Sequence, residues 1–169
     1  MPLLKSGKII DDPWVCWDDD PDSDPSVGAV IVSLKQWRDS RDRLLARATP
    51  LGIVLTSEQT PGEIEADLKY FDLVALDFPV FTDGRAYSNA KRLRQRYGYT
   101  GEVRAVGQVQ RDQYLALHRC GFDALVIRQG ETEEDWKAAT RAISTPFQPG
   151  LDQNPTAMSL RQQRMMAEE

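Results

Sequence analysis

The chain has 169 residues, 41% of them hydrophobic, and a formal net charge of -5 from 26 acidic against 21 basic residues. That length allows one domain with a hydrophobic core, and the acidic balance excludes a general nucleic-acid binder while leaving room for local basic patches. Two cysteines without CxxC spacing and a single histidine offer neither a disulfide framework nor a structural zinc site.

The opening "MPLLKSGKIIDDPW" has no apolar stretch of secretory length, and no run approaches the roughly 20 apolar residues of a membrane span. The expectation is a cytoplasmic protein in a reducing compartment, with neither a membrane nor a nucleic acid as partner. Residues 1–26 read as an irregular N-terminal segment, with short extended pieces broken by Pro13 and then the acidic, proline-rich loop "DDDPDSDP". The acid run Asp18–Asp24 lacks the spacing and glycine of a calcium loop and reads as solvated.

A single α/β domain is expected over residues 27–145. "VGAVIVSL" reads as a β-branched strand, and "KQWRDSRDRLLARA" as a helix burying Trp37, Leu44, Leu45 and Ala48. From Leu51 the alternation is regular. "LGIVL" is a strand, "TPGEIEADLKYF" a helical pattern with a threonine cap and proline start, and "LVALDF" a strand again. Ala86, Ala90, Leu93 and Tyr97 recur at helical spacing, and Gly98 ends that helix before the strand "EVRAVG". "QRDQYLALHRC" is a helix stopped at Gly121, "FDALVI" a strand, and "TEEDWKAATRAI" a helix with Trp136, Ala139 and Ile143 on its core side. Residues 146–169 read as a C-terminal tail, helical when bound to something else.

Strands alternating with helices predict a mainly parallel sheet with flanking helices. The first expectation is an open Rossmann-like or flavodoxin-like sheet. The alternative is a half-barrel of β/α units, because periodicity does not report strand order.

Two polar clusters follow strands at the predicted carboxyl edge. "FPVFTDGRAYS" places Thr82, Asp83, Gly84, Arg85 and Ser88 between a strand and a helix start, where free N–H groups and a planar guanidinium suit a small anion. "AVGQVQRD" places Gly107, Arg111 and Asp112 at the equivalent edge of the next strand. Each cluster also reads as an ordinary turn, with Asp83 or Thr82 capping the helix and Arg111 paired to Asp112. Arg104 stands inside a strand, so it is either buried against a partner such as Asp77 or Asp83, or solvated on an edge. His118 reads as an exposed helix-end residue, and Cys120 as a buried small one. Dinucleotide, phosphate-loop and nucleophile-elbow motifs are absent, so the residues identify no cofactor; flavin fits a flavodoxin-like sheet, but no motif calls for it.

From Asp77 to Ala124 the run "DFPVFTDGRAYSNAKRLRQRYGYTGEVRAVGQVQRDQYLALHRCGFDAL" resembles a family of uncharacterised bacterial proteins that carry an oxidoreductase label. They are commonly encoded beside the haemoprotein subunit of assimilatory sulfite reductase. The likeness rests on Phe78, Pro79, Phe81, Asp83, Gly84, Arg85, Tyr87 and Ser88, then on Gly101, Arg104, Gly107, Asp112, Cys120, Gly121, Phe122 and Asp123, and extends loosely over residues 9–143. Gln108 stands where relatives carry an acid. The resemblance implies an accessory or regulatory protein of assimilatory sulfite reduction that acts with the reductase haemoprotein, through Thr82, Asp83, Gly84, Arg85, Ser88, Arg104, Gly107, Arg111 and Asp112. The competing expectation is an enzyme or binding protein for a small anionic sulfur compound at the same edge.

Overall fold

The computed structural model describes residues 2–17, 28–141, 145–152 and 154–167. The acid run Asp18–Asp24 and Ile143 lie outside the described residues. Three short strands come first, β1 (Leu3–Lys5), β2 (Lys8–Ile10) and β3 (Trp14–Cys16). There follow β4 (Ala29–Ser33), α1 (Leu34–Leu45), β5 (Leu51–Leu55), a 3-10 helix over Pro61–Tyr70, β6 (Leu73–Phe78) and α2 (Arg85–Lys91). The chain continues through β7 (Glu102–Gly107), α3 (Tyr114–Arg119), β8 (Ala124–Val126), α4 (Glu133–Arg141) and α5 (Ala157–Ala167).

Local chemistry sets these boundaries. Ser33 Oγ accepts from the Gln36 N–H at 3.2 Å and the Gln36 side chain accepts from the Ser33 N–H at 2.7 Å, a reciprocal cap that turns β4 straight into α1. Thr60 and Glu63 form the same box ahead of Pro61, but the ten residues that follow wind as a 3-10 helix, where the spacing predicts an α-helix. After α2 the helix widens into a π-helical turn over Arg92–Arg96 and stops at Gly98, whose φ of 61° is left-handed.

Among the described residues, eight strands form one sheet in the order β2-β1-β8-β7-β6-β5-β4-β3. Strands β3 to β8 run parallel to one another, and β1 is antiparallel to both β8 and β2. The two outermost strands, β2 and β3, are joined by only Asp11, Asp12 and Pro13. Laid flat, eight strands would hold those edges about 34 Å apart, whereas the link from Ile10 to Trp14 reaches about 14 Å at full extension. The sheet therefore curls.

This architecture is the half-barrel alternative, with a sheet flanked by helices. The order contains no reversal, so the Rossmann-like or flavodoxin-like first expectation, and the switch-point crevice that goes with it, are corrected. The short extended pieces expected around Pro13 are β2 and β3, and β1 precedes them, each only three residues long and so too short for an alternating pattern to show.

Burial follows the pleat. On one face, Val32, Ile53, Val74, Leu76, Phe78, Val103, Ala105 and Leu125 pack with Leu34, Trp37 and Leu44 of α1, Ile64 and Leu68 of the 3-10 helix, Ala90 of α2, Leu117 of α3 and Trp136 of α4. The alternate residues face the concave side, where Ile31, Leu73 and Ala75 form a smaller cluster with Trp14, Val54 and Val106. The C-terminal tail contributes α5 and a docking point, since buried Arg119 donates to Asp152 at 2.8 Å and to the Gln148 carbonyl at 2.6 Å.

Candidate functional site: the carboxyl edge and the concave crevice

At the carboxyl end of β6 the chain turns through an open loop before α2. Asp83 accepts from the Arg85 N–H at 3.1 Å and grips the same residue's guanidinium through Nε at 3.0 Å and Nη2 at 2.7 Å. Arg85 Nη2 also donates to Ser57 Oγ at 2.8 Å, so the pair ties this loop to the one after β5. The guanidinium and helix N–H hold the Asp83 carboxyl far below its usual range, and Asp83 in turn raises Arg85. Asp83 therefore serves as both cap and counter-ion. Thr82, Gly84 and Ser88 are exposed around it, and so are Val80 at 48% and Phe81 at 51%, two large apolar side chains open to solvent.

The second cluster sits beside the first without merging with it. Arg111 turns the other way, to Asp135 at 3.1 Å and Glu131 at 3.5 Å, and Asp112 lines a groove with Lys91 and Cys120. A hydrogen bond joins the two loops instead, from Gln113 Nε2 to the Phe81 carbonyl at 2.8 Å. Gly107, with φ of 89°, folds back so closely that an added Cβ would stand 2.5 Å from the Phe78 carbonyl and 2.6 Å from Asp77 Oδ1. Here the glycine is a geometric necessity.

Arg104 belongs to neither loop. It lies on the concave face in a row with Val54, Ala75 and Ala124, and is 1% exposed. The expectation of a buried, paired arginine holds, but Asp77 and Asp83 are not its partners. Nε donates to Glu102 at 2.8 Å and Nη1 to Asp12 at 2.7 Å, and Lys5 reaches Glu102 from β1 at 2.7 Å. Asp12, in the short link between the outermost strands, thus reaches across the concave side to the middle of the sheet. The third nitrogen, Nη2, is buried without a hydrogen-bond partner among the described residues.

Around this network is a crevice of about 350 Å³ lined by residues including Trp14, Cys16, Ile31, Val54, Ala75, Val106, Arg104 and the exposed Arg128. Gly52 lets the Trp14 ring lie on the sheet, since a Cβ there would come within 3.1 Å of the ring and 3.2 Å of both Ile31 and Leu73. Sequence reasoning missed Asp12, Trp14 and Glu102. The signal available was Arg104 itself, whose charge inside a strand demanded carboxylates from somewhere.

Other titrating groups are structural in setting. Burial, with the neighbouring charges of Cys120 and Asp112, pushes Tyr87 up to about 12, and burial raises the Cys120 thiol. Asp77 is raised by burial and by the charge of Asp83. His118 is exposed at the end of α3, as expected. Among the described residues no group of three or more His, Cys, Asp or Glu side chains could hold a metal ion, and no helix is long and apolar enough to cross a membrane. Residues 52–158 match the model of a family described as bacterial protein of unknown function, DUF934. No curated protein matches the chain.

Proposed function

The chain belongs to this bacterial family, whose match spans more than half of it, and from that premise we propose an accessory or regulatory protein of assimilatory sulfite reduction that acts with the reductase haemoprotein. The observation that carries the reading is the ordered run from Asp77 to Ala124, which resembles proteins encoded beside that enzyme. In the fold the run is one contiguous stretch, β6 to β8, whose carboxyl edge presents exposed Val80 and Phe81 beside the Asp83–Arg85 pair. Aromatic and arginine side chains on an open loop suit a protein contact.

A small inorganic anion is less well served there. Arg85 and Arg111 each already hold a carboxylate, so a bound sulfur oxyanion would have to displace one. The proposed contact accordingly uses Phe81, Asp83, Arg85 and Ser88, with Gly107 and Gln113 fixing the loops. No electron-transfer chemistry is assigned to the chain itself.

The test is growth of a deletion strain on sulfate, sulfite or sulfide as sole sulfur source. Rescue by sulfide but not by sulfite is the expected result, with co-purification of the haemoprotein that is lost in a folded Arg85→Ala, Phe81→Ala double variant. Equal growth on all three sources, or co-purification untouched by the double variant, overturns the reading.

A further inference from the structure

We infer that the concave crevice binds a small, mainly apolar organic molecule through one neutral oxygen acceptor, which takes a hydrogen bond from Arg104 Nη2. This goes beyond the proposed partner contact, which centres on the exposed loop before α2 and shares Gly107 with the crevice, and neither depends on the other.

The argument starts from the orphaned nitrogen. A buried donor without a partner is costly, and more so when it belongs to a charged group. Arg104 spends Nε on Glu102 and Nη1 on Asp12, and leaves Nη2 unmatched in a residue 1% exposed. The same side chain forms part of the crevice wall. A lone water at that nitrogen would have the Asp12 carboxylate as a further polar neighbour and otherwise mainly hydrocarbon, from Ile31, Val54, Ala75 and Val106, which is the low end of the two to four polar partners a buried water ordinarily needs.

Charge then selects the acceptor. Lys5 and Arg104 together balance Glu102 and Asp12, so the network around Nη2 is already neutral, and the exposed Arg128 adds a solvated cation elsewhere in the crevice lining. An anion brought to Nη2 would be set close to two carboxylates in a poorly solvated place, where like charges repel strongly. A carbonyl-type oxygen accepts the same bond without that repulsion. Sulfite, sulfate and phosphate are therefore poorly served at Nη2, whose bonded neighbours are both carboxylates.

Size and shape narrow the class further. A volume of about 350 Å³ lies at the low end of small-molecule pockets; it admits a two-ring compound and excludes a tetrapyrrole or a dinucleotide. The Trp14 ring, seated over Gly52, supplies an aromatic wall. Nη2 is shielded by its surroundings, so binding includes a small movement of the Arg104 guanidinium toward the ligand.

Three probes of nearly equal size separate the alternatives: 2-acetylnaphthalene with a neutral carbonyl, 2-ethylnaphthalene with no acceptor, and 2-naphthoate with an anionic one. Equilibrium dialysis against the full chain is expected to show one saturable site for 2-acetylnaphthalene, at least tenfold tighter than for the other two, which corresponds to about 1.4 kcal/mol. The same compound should slow iodoacetamide alkylation of exposed Cys16, which lines the crevice, and leave Cys120 unaffected, as read by peptide mass. Ala75→Leu, which fills the floor, should abolish both effects; if that variant fails to fold, Cys16 protection in the unaltered chain decides. Equal affinity for the acetyl and ethyl compounds, preference for 2-naphthoate, no saturable binding up to millimolar probe, or unprotected Cys16 each overturns the inference.

Discussion

Replacing Arg104 by methionine removes a charge that two carboxylates were folded around. Asp12 and Glu102 are then left 16% and 11% exposed, and only Glu102 keeps a cation, through Lys5. Breaking one side of a buried ion pair costs about 3–5 kcal/mol, a large share of the roughly 5–15 kcal/mol that holds a domain folded. At about 2–4 °C per kcal/mol for a chain of this size, the melting temperature should fall by roughly 6–20 °C. Urea unfolding followed by tryptophan fluorescence gives the free energy directly. Asp12→Asn and the Asp12→Asn, Arg104→Met pair complete a double-mutant cycle, in which the pair should be less damaging than the sum by about 1–3 kcal/mol. Because Asp12 sits in the link between β2 and β3, amide exchange at Leu4 should also quicken more than at Val74. A loss below about 1 kcal/mol, or strict additivity with Asp12→Asn, would refute the claim that this network fastens the curled sheet.

Gly107→Ala should destabilise by about 1–3 kcal/mol, because its φ of 89° disfavours a side chain and the new Cβ would press on the Phe78 carbonyl at 2.5 Å; an unchanged urea midpoint would contradict this. Two aspartates should respond to pH in opposite senses. Burial raises the Asp77 carboxyl, so the folded state binds its proton more readily and loses stability as pH climbs past the ordinary carboxylate value. Asp77→Asn should therefore be more stable than the parent at pH 7, and the gap should close as pH falls below about 4. Asp67, lowered chiefly by its bond from Arg41 at 2.8 Å and also by one from the Trp37 indole at 2.9 Å, contributes stability above its unfolded value and loses it as pH drops through the lower folded one. Asp67→Asn should be less stable at pH 7 and converge with the parent only in stronger acid, and identical urea midpoints at both pH values would remove either assignment.

The middle of the fold was legible because its signals are local. Ser33 and Thr60 cap the segments they precede, Gly98 and Gly121 stop helices with positive φ, and the apolar runs of β4 to β7 are the inner strands of the sheet. Closure of the sheet is a non-local event and left no such trace. Strand order depends on β1 finding β8, and the three-residue strands carry too little pattern to announce themselves. The candidate site divides the same way. Asp83 as the cap and Gly107 as the tight turn follow from neighbours in sequence, whereas Arg104 meets an Asp12 that is 92 positions distant. A strand arginine reports that a partner exists but carries no address for it.

The pairing of β1 with β8, in which Leu3 aligns with Val126, also sets a timetable for synthesis. Strands β4 to β8 can each be laid against the strand made just before, with β3 already waiting at the outer margin. The β1–β2 hairpin emerges before these strands yet has no place to dock until β8, more than 110 residues later, is made. Until then the newest strand presents an open edge, the kind of surface that recruits other chains. Strands β1 and β2 thus precede the rest of the sheet in synthesis and follow it in docking.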